Sequence, residues 1–186
     1  MEVFFPTFFE TLSLPNRIQL MAEDTEPTFR VDVSSRPIVV RISGRANFLN
    51  CSPLRSFFRS MMDKGHTDFV LDFSQCEGMD STFLGILAGV AIETQRGDPK
   101  GNITLSGLGE RNLELVRNLG LHRIVSIKEE AVTGDLSDDS KGLAEENLTE
   151  EEKKEMLINA HEDLGKVDEA NINKFQDLLT FLKNEE

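Results

Sequence analysis

Residues 69–87 read Phe-Val-Leu-Asp-Phe-Ser-Gln-Cys-Glu-Gly-Met-Asp-Ser-Thr-Phe-Leu-Gly-Ile-Leu, an apolar strand run that passes into a helix. A strand feeding a helix in this way predicts a sheet covered by helices. The junction is Met79-Asp80-Ser81-Thr82. Asp80 or Ser81 is expected to cap the helix, since both side chains accept hydrogen bonds from free N–H groups of the first turn. A helix N-terminus also carries the positive end of the peptide dipole, so a phosphate on Ser81 would be well accommodated. Ser81 is therefore a candidate site of regulated phosphorylation, and such a chain would be a switch rather than a catalyst. The competing reading is that Ser81 only caps the helix.

The flanking pattern extends the prediction. Phe29, Val31 and Val33 alternate as in a half-buried strand, Ser34-Ser35-Arg36-Pro37 reads as a turn, and residues 38–42 read as a second strand ended by Gly44-Arg45-Ala46-Asn47. Ser52-Pro53 predicts a helix start, with Leu54, Phe57, Phe58 and Met61 on one face and Lys64-Gly65 at its end. Phe69 to Phe73 gives a third strand. In the next helix Phe83, Leu84, Leu87, Val90 and Ala91 form the buried face, while Gly85, Ala88 and Gly89 permit close backbone packing. Ile103 and Leu105 mark a fourth strand, Leu113, Val116 and Leu119 a helix closed by Gly120, and Ile124-Val125 a last short strand. The order ββαβαβαβ predicts an α/β domain with a mixed sheet over residues 28–128, because the opening pair is a hairpin.

The 186 residues carry a net charge of −13, unevenly distributed. Residues 1–128 hold 14 Lys/Arg against 15 Asp/Glu, whereas residues 129–186 hold 6 against 18. The acid belongs to the tail, and no basic stripe is present for a nucleic-acid backbone. No apolar run reaches the roughly 18–20 residues a membrane helix needs. Cys51 and Cys76 form no metal or redox spacing, so a cytoplasmic setting is expected.

Two appendages flank the domain. Residues 1–27 form an N-terminal extension in which Phe4-Phe5-Pro6 and Phe8-Phe9 have no regular period. Residues 1–20 are read either as dispensable, from an upstream start-codon assignment, or as a packed N-terminal arm. Residues 129–148 read as an acidic, disordered linker. Over residues 149–186, Thr149-Glu150-Glu151-Glu152 predicts a capping box. Met156, Leu157, Ala160 and Leu164 line one helical face, and Gly165 is expected to end that helix. Asp168 opens a second helix with Ile172, Phe175, Leu178, Leu179 and Leu182 on its face. The expected result is an amphipathic helical hairpin on a flexible tether, burying its stripes first by self-association as a homo-oligomer and second by docking on the sheet domain.

Residues 28–128 resemble the STAS domain family, and within it the bacterial anti-sigma factor antagonists. The resemblance rests on Leu71-Asp72-Phe73-Ser74, Met79-Asp80-Ser81-Thr82 and Leu84-Gly85. Gly44, Pro53-Leu54-Arg55 and Leu119-Gly120-Leu121 add weaker support. It implies that Ser81, directly after the motif aspartate, is phosphorylated by a serine kinase that is also the anti-sigma factor. The unphosphorylated antagonist then binds the kinase and frees the sigma factor, and a serine phosphatase resets the switch. Asp80, Thr82 and Phe83 would shape the partner-binding face, with Gly44, Arg45, Ala46 and Asn47 as the adjacent loop. Two positions depart from the family pattern. Phe83 stands where a glycine is usual, and Asn47 where an acidic residue is usual.

No catalytic constellation is visible. His66, His122 and His161 are scattered, and no phosphate-cradling glycine loop of the Gly-x-x-x-x-Gly-Lys type occurs. Asp72, at the end of a strand run, reads as a turn former. The expectation is a non-enzymatic, cofactor-free protein-binding switch in a partner-switching pathway that regulates transcription. The rival is a constitutive STAS module in a larger assembly, either a lipid-transporting ABC complex or a sensory scaffold.

Overall fold

Alternating apolar residues put Phe29 and Val31 on the buried side of β1 (Phe29–Asp32), which pairs antiparallel with β2 (Ile38–Ala46) in the register Phe29↔Ile42 and Val31↔Val40. These elements come from a computed structural model that describes residues 28–132 and 135–184. The two readings of residues 1–20 lie outside the described residues. From β2 the sheet continues in parallel through β3 (Asp68–Met79), β4 (Asn102–Ser106) and β5 (Ser126–Lys128). The crossovers are α1 (Ser52–Asp63), α2 (Ser81–Arg96), and α3 (Glu110–Asn118) with a 3-10 turn at Leu121–Arg123. A two-residue strand, β6 (Lys141–Gly142), adds to the free edge of β1, giving the order β5-β4-β3-β2-β1-β6. Two helices follow, α4 (Glu150–Val167) and α5 (Glu169–Asn184). The mixed sheet, the covering helices and the C-terminal helix pair agree with the expected fold class.

With no Trp or Tyr in the chain, phenylalanine does the aromatic packing. Phe58 meets Phe69 edge-on at 5.1 Å, while Phe83 stacks on Phe29 and meets Phe73 edge-on, both at 6.1 Å. Offset and edge-to-face pairs of this kind add to the stabilisation from burial alone. Ile38, Ile42, Leu54, Leu71, Leu84, Leu87, Ile103 and Leu105 fill the remaining space without exposure.

Several local expectations are corrected. Gly44, Arg45 and Ala46 are not loop: they continue β2 alongside β3, with irregular register after Arg41 and after Gly44. The N-cap of α1 is Cys51, not Ser52, and it makes no side-chain cap bond. The last strand begins at Ser126, because Ile124 and Val125 close the preceding 3-10 turn through bonds to the Leu121 carbonyl. Asp72 is fully buried within β3 and pairs with Arg41 at 2.9 Å. The partly exposed Arg41 guanidinium balances the buried carboxylate, which a turn aspartate would not need.

Residues 129–148 are not the expected disordered linker where they are described. β6 pairs with β1, the Leu143 amide donates to the Phe29 carbonyl at 2.9 Å, and the Ser137 amide donates to Asp32 at 3.2 Å. Leu143 and Leu148 pack against the core. An open strand edge leaves backbone groups unpaired, so even a short polar strand is stabilised there.

The tail is also docked rather than semi-independent. Met156, Ala160 and Leu164 of α4 join the hydrophobic core of the sheet domain. At Gly85 a methyl group would collide with the Ala160 backbone, and at Gly89 it would meet the Asp163 carboxylate. The two glycines thus let α4 lie directly on α2, the alternative ranked second from sequence. α4 runs through Gly165 to Val167, and a single residue, Asp168, separates it from α5. Asn171 is buried in that corner and donates to the carbonyls of Leu119 and Leu164 at 3.0 and 2.9 Å. Arg123 pairs with Asp168 at 3.0 Å.

Candidate functional site

The site forms where β3 ends and α2 begins. Asp80 is the N-cap of α2 in extended conformation, and its Oδ1 accepts from the Phe83 amide at 2.9 Å. Its Oδ2 accepts from the Phe48 amide, also at 2.9 Å, and its own amide donates to the Ala46 carbonyl at 3.2 Å. One aspartate therefore fixes both the helix start and the segment after β2. Arg45, Ala46 and Asn47 line a small cleft of about 140 Å³ together with Asp80 and Arg111. The two motifs, separate in sequence, are thereby brought to one place. Gly44 lies just before them in the left-handed region, with φ of 70°, where a side chain would be strained.

Ser81 is the first residue of α2 and is half-buried. The capping role belongs to Asp80, so the Ser81 hydroxyl is not used as a cap. It lies 3.0 Å from Nε2 of His161 on α4. His161 Nδ1 lies 2.8 Å from the Leu157 carbonyl, which can only accept. In the neutral ring Nδ1 therefore carries the proton, and Nε2 accepts from the serine hydroxyl. His161 is 2% exposed, and the edge of its ring meets Phe175 at 4.7 Å. A Ser–His pair can activate a nucleophile, but here the imidazole is buried, with Phe175 of α5 against its ring.

The other expected partner-binding residues divide by burial. Phe83 is 0% exposed, so the expectation that it shapes a partner face is corrected: the ring is core, between Phe29 and Phe73. Its ring fills space between β1 and β3 rather than facing a partner. Thr82 and Ala46 are buried as well, and their side chains offer nothing to a partner. Arg45 is exposed and Asn47 half-buried, with Asn47 Oδ1 accepting from the Leu49 amide at 2.9 Å. Sequence reasoning missed Phe48 and Leu49, which stand 40% and 77% exposed beside Asp80. It also missed His161, whose link to Ser81 spans 80 positions and leaves no local spacing signal.

Burial pushes the Cys51 thiol up to about 12, and the nearby Asp80 charge adds to this. Burial raises Cys76 too. Neither thiol is therefore a thiolate nucleophile near neutral pH. Among the described residues no cluster of three or more His, Cys, Asp or Glu is arranged to hold a metal, and no helix is long and apolar enough to cross a membrane.

Comparison with known proteins adds three solved structures. The anti-sigma factor antagonist SpoIIAA in its unphosphorylated form is 19% identical, over 56% of this chain and 89% of that one, with a TM-score of 0.46. The Bacillus cell fate determinant SpoIIAA in its phosphorylated form is 19% identical, over 56% and 92%, with a TM-score of 0.47. A putative anti-sigma factor antagonist from Thermotoga maritima is 23% identical, over 49% and 79%, with a TM-score of 0.44. A search of curated proteins finds no match. The family model described as "Mlab, STAS domain" matches residues 17–126, which includes β1 to β4, the Asp80-Ser81 junction and the first residue of β5. The chain belongs to the STAS domain family.

Proposed function

We propose that this chain is a phosphorylation-controlled protein-binding switch, an anti-sigma factor antagonist in a partner-switching pathway, with Ser81 as the phosphosite. The observation that carries the reading is the junction at Asp80-Ser81. The aspartate takes the cap, which leaves the serine hydroxyl, half-buried at the first helical position, free of any capping role. A phosphate added there would meet the helix dipole favourably and the Asp80 carboxylate unfavourably, so the modification would shift a balance in binding. The partner is a serine-kinase anti-sigma factor, and a serine phosphatase reverses the mark. The surface it meets combines exposed Arg45, Phe48 and Leu49 with half-buried Asn47 and with Ser81, all grouped around Asp80. Exposed apolar residues beside polar ones suit a protein interface better than a small-ligand site.

The engagement of Ser81 by His161 favours a second reading, a constitutive STAS module that docks in a larger assembly without phosphorylation. A pull-down from native cells with the unphosphorylated chain separates the two. The switch reading expects a serine kinase to be captured and then released when ATP and magnesium are added. It also expects Ser81→Ala to capture the kinase without ATP-driven release. Capture of a permease and a transport ATPase, unaffected by ATP or by Ser81→Ala, would support the constitutive module instead.

A further inference from the structure

The face of α2 that begins at Ser81 is covered by the chain's own C-terminal helices. Ser81 Oγ meets buried His161 at 3.0 Å. One turn on, the Gly85 backbone touches that of Ala160, and a further turn on Gly89 faces the Asp163 side chain. Met156, Ala160 and Leu164 close the apolar part of the contact. The histidine is itself held in place, by the Leu157 carbonyl on one side and the Phe175 ring of α5 on the other. A partner that reads the Ser81 end of α2 therefore meets α4 first.

We propose that α4 and α5 form an intramolecular cap that competes with protein partners for the Ser81 face of α2. The Ser81–His161 hydrogen bond latches the cap, and negative charge on Ser81 opens it. The inference rests on the reading of Ser81 as the switch residue. A hydroxyl fits beside a buried imidazole, but a phosphate brings a charge of about −1.5 to −2 and three more oxygens into a closed contact. It would lie next to Asp80 and against a helix with six Asp/Glu and three Lys. α2 is tied at both ends to the paired strands β3 and β4, so α4 is the element that gives way. The cap also controls access to Ser81. A kinase needs the serine free, so modification slows in proportion to the fraction of molecules that are open. Once added, the phosphate keeps the cap from closing. The hairpin is thus a two-state element biased by one local charge.

Hydrogen exchange read by mass spectrometry on the full chain tests this with no kinase present. In Ser81→Ala, amides of α4 should exchange about 3–10-fold faster than in the wild type, the loss expected for one partly buried hydrogen bond. In Ser81→Asp the increase should exceed tenfold. Amides of β3 and β4 should keep their wild-type rates in both variants, because only the cap opens. Unchanged α4 exchange in Ser81→Asp would overturn the proposal, and so would a rise matched in β3 and β4, which would mean global destabilisation. Absence of phosphate on Ser81 in cells would remove the switch reading but leave this exchange result standing. Phosphate found on Ser81 together with unchanged α4 exchange in Ser81→Asp would remove the cap and leave the phosphosite intact.

Discussion

α4 and α5 carry equivalent sequence signals yet end in different environments. Both have acidic first turns and an apolar stripe at helical spacing. α4 buries its stripe in the domain core through Met156, Ala160 and Leu164. On α5 only Asn171 and Leu182 are buried, and Ile172, Leu178 and Phe181 stand 53%, 37% and 60% exposed. The difference comes from what faces each helix. α2 offers α4 two glycines, and close backbone approach turns a stripe into a packed interface. α5 meets the helix corner at residues 118–123 and the flank of α4, through Asn171, Lys174, Phe175 and the Lys183–Glu162 pair. An apolar stripe thus states that burial is favourable, while the opposing surface decides whether it occurs.

The sharpest way to break this comparison is to truncate one residue on each helix. Leu164→Ala should cost about 2–5 kcal/mol in urea unfolding, the range for a buried leucine. Phe181→Ala should stay within about 0.5 kcal/mol, as for an exposed position. If Phe181→Ala proves as damaging as Leu164→Ala, a further surface covers α5. Concentration-dependent light scattering would then show whether that surface is a second copy of the chain.

Gly85→Ala tests the close approach directly. The added methyl overlaps the Ala160 backbone, so α4 must shift, at roughly 1–3 kcal/mol by analogy with overpacked cores. The loss should appear as weakened protection of α4, and an unaltered melting curve would contradict the contact. At the corner, Asn171→Ala removes two hydrogen bonds to backbone carbonyls and should cost roughly 1–2 kcal/mol. Its effect should be confined to α5 and the end of α4, which exchange measurements would read.

The smallest effect concerns the segment that leads into α4. The Ser34 hydroxyl, at 2.6 Å, holds the Asp32 carboxyl well below the usual carboxylate range, with help from Ser35 and Ser137 against the opposing effect of burial. A depressed folded-state pKa contributes stability that is present above the unfolded value near 3.8 and is lost as pH falls toward the folded one. Unfolding midpoints should therefore drop between pH 5 and pH 2.5, and Asp32→Asn should flatten part of that slope. An equal acid limb in the variant would assign the drop to other carboxylates.

The same contrast explains what the sequence made legible. Strands β1 to β4 and the five helices among the described residues are legible because their apolar residues follow a period of two or 3.6. The Asp80-Ser81 junction was visible because a cap is a local event. β6 was not, since Lys141-Gly142 has no apolar pattern and pairs through backbone alone. The extension of β2 past Ile42 was hidden by polar residues and Gly44. Gly165 read as a stop, yet it sits one turn from the Asp168 corner inside a continuing helix. Helical period puts Phe83 on the buried face of α2, and its packing against Phe29 and Phe73 agrees, whereas the partner-face role that the motif implied for it does not hold. His161 could not be joined to Ser81 before the fold brought α4 onto α2.

The central claim is that Ser81 carries the switch, and phosphosite mapping of the chain recovered from its own cells tests it most directly. Intact-mass and fragment spectra should show a population with one added phosphate, placed on Ser81 and absent from Ser81→Ala. A chain without phosphate under every growth condition, or with phosphate on another residue alone, would contradict the account.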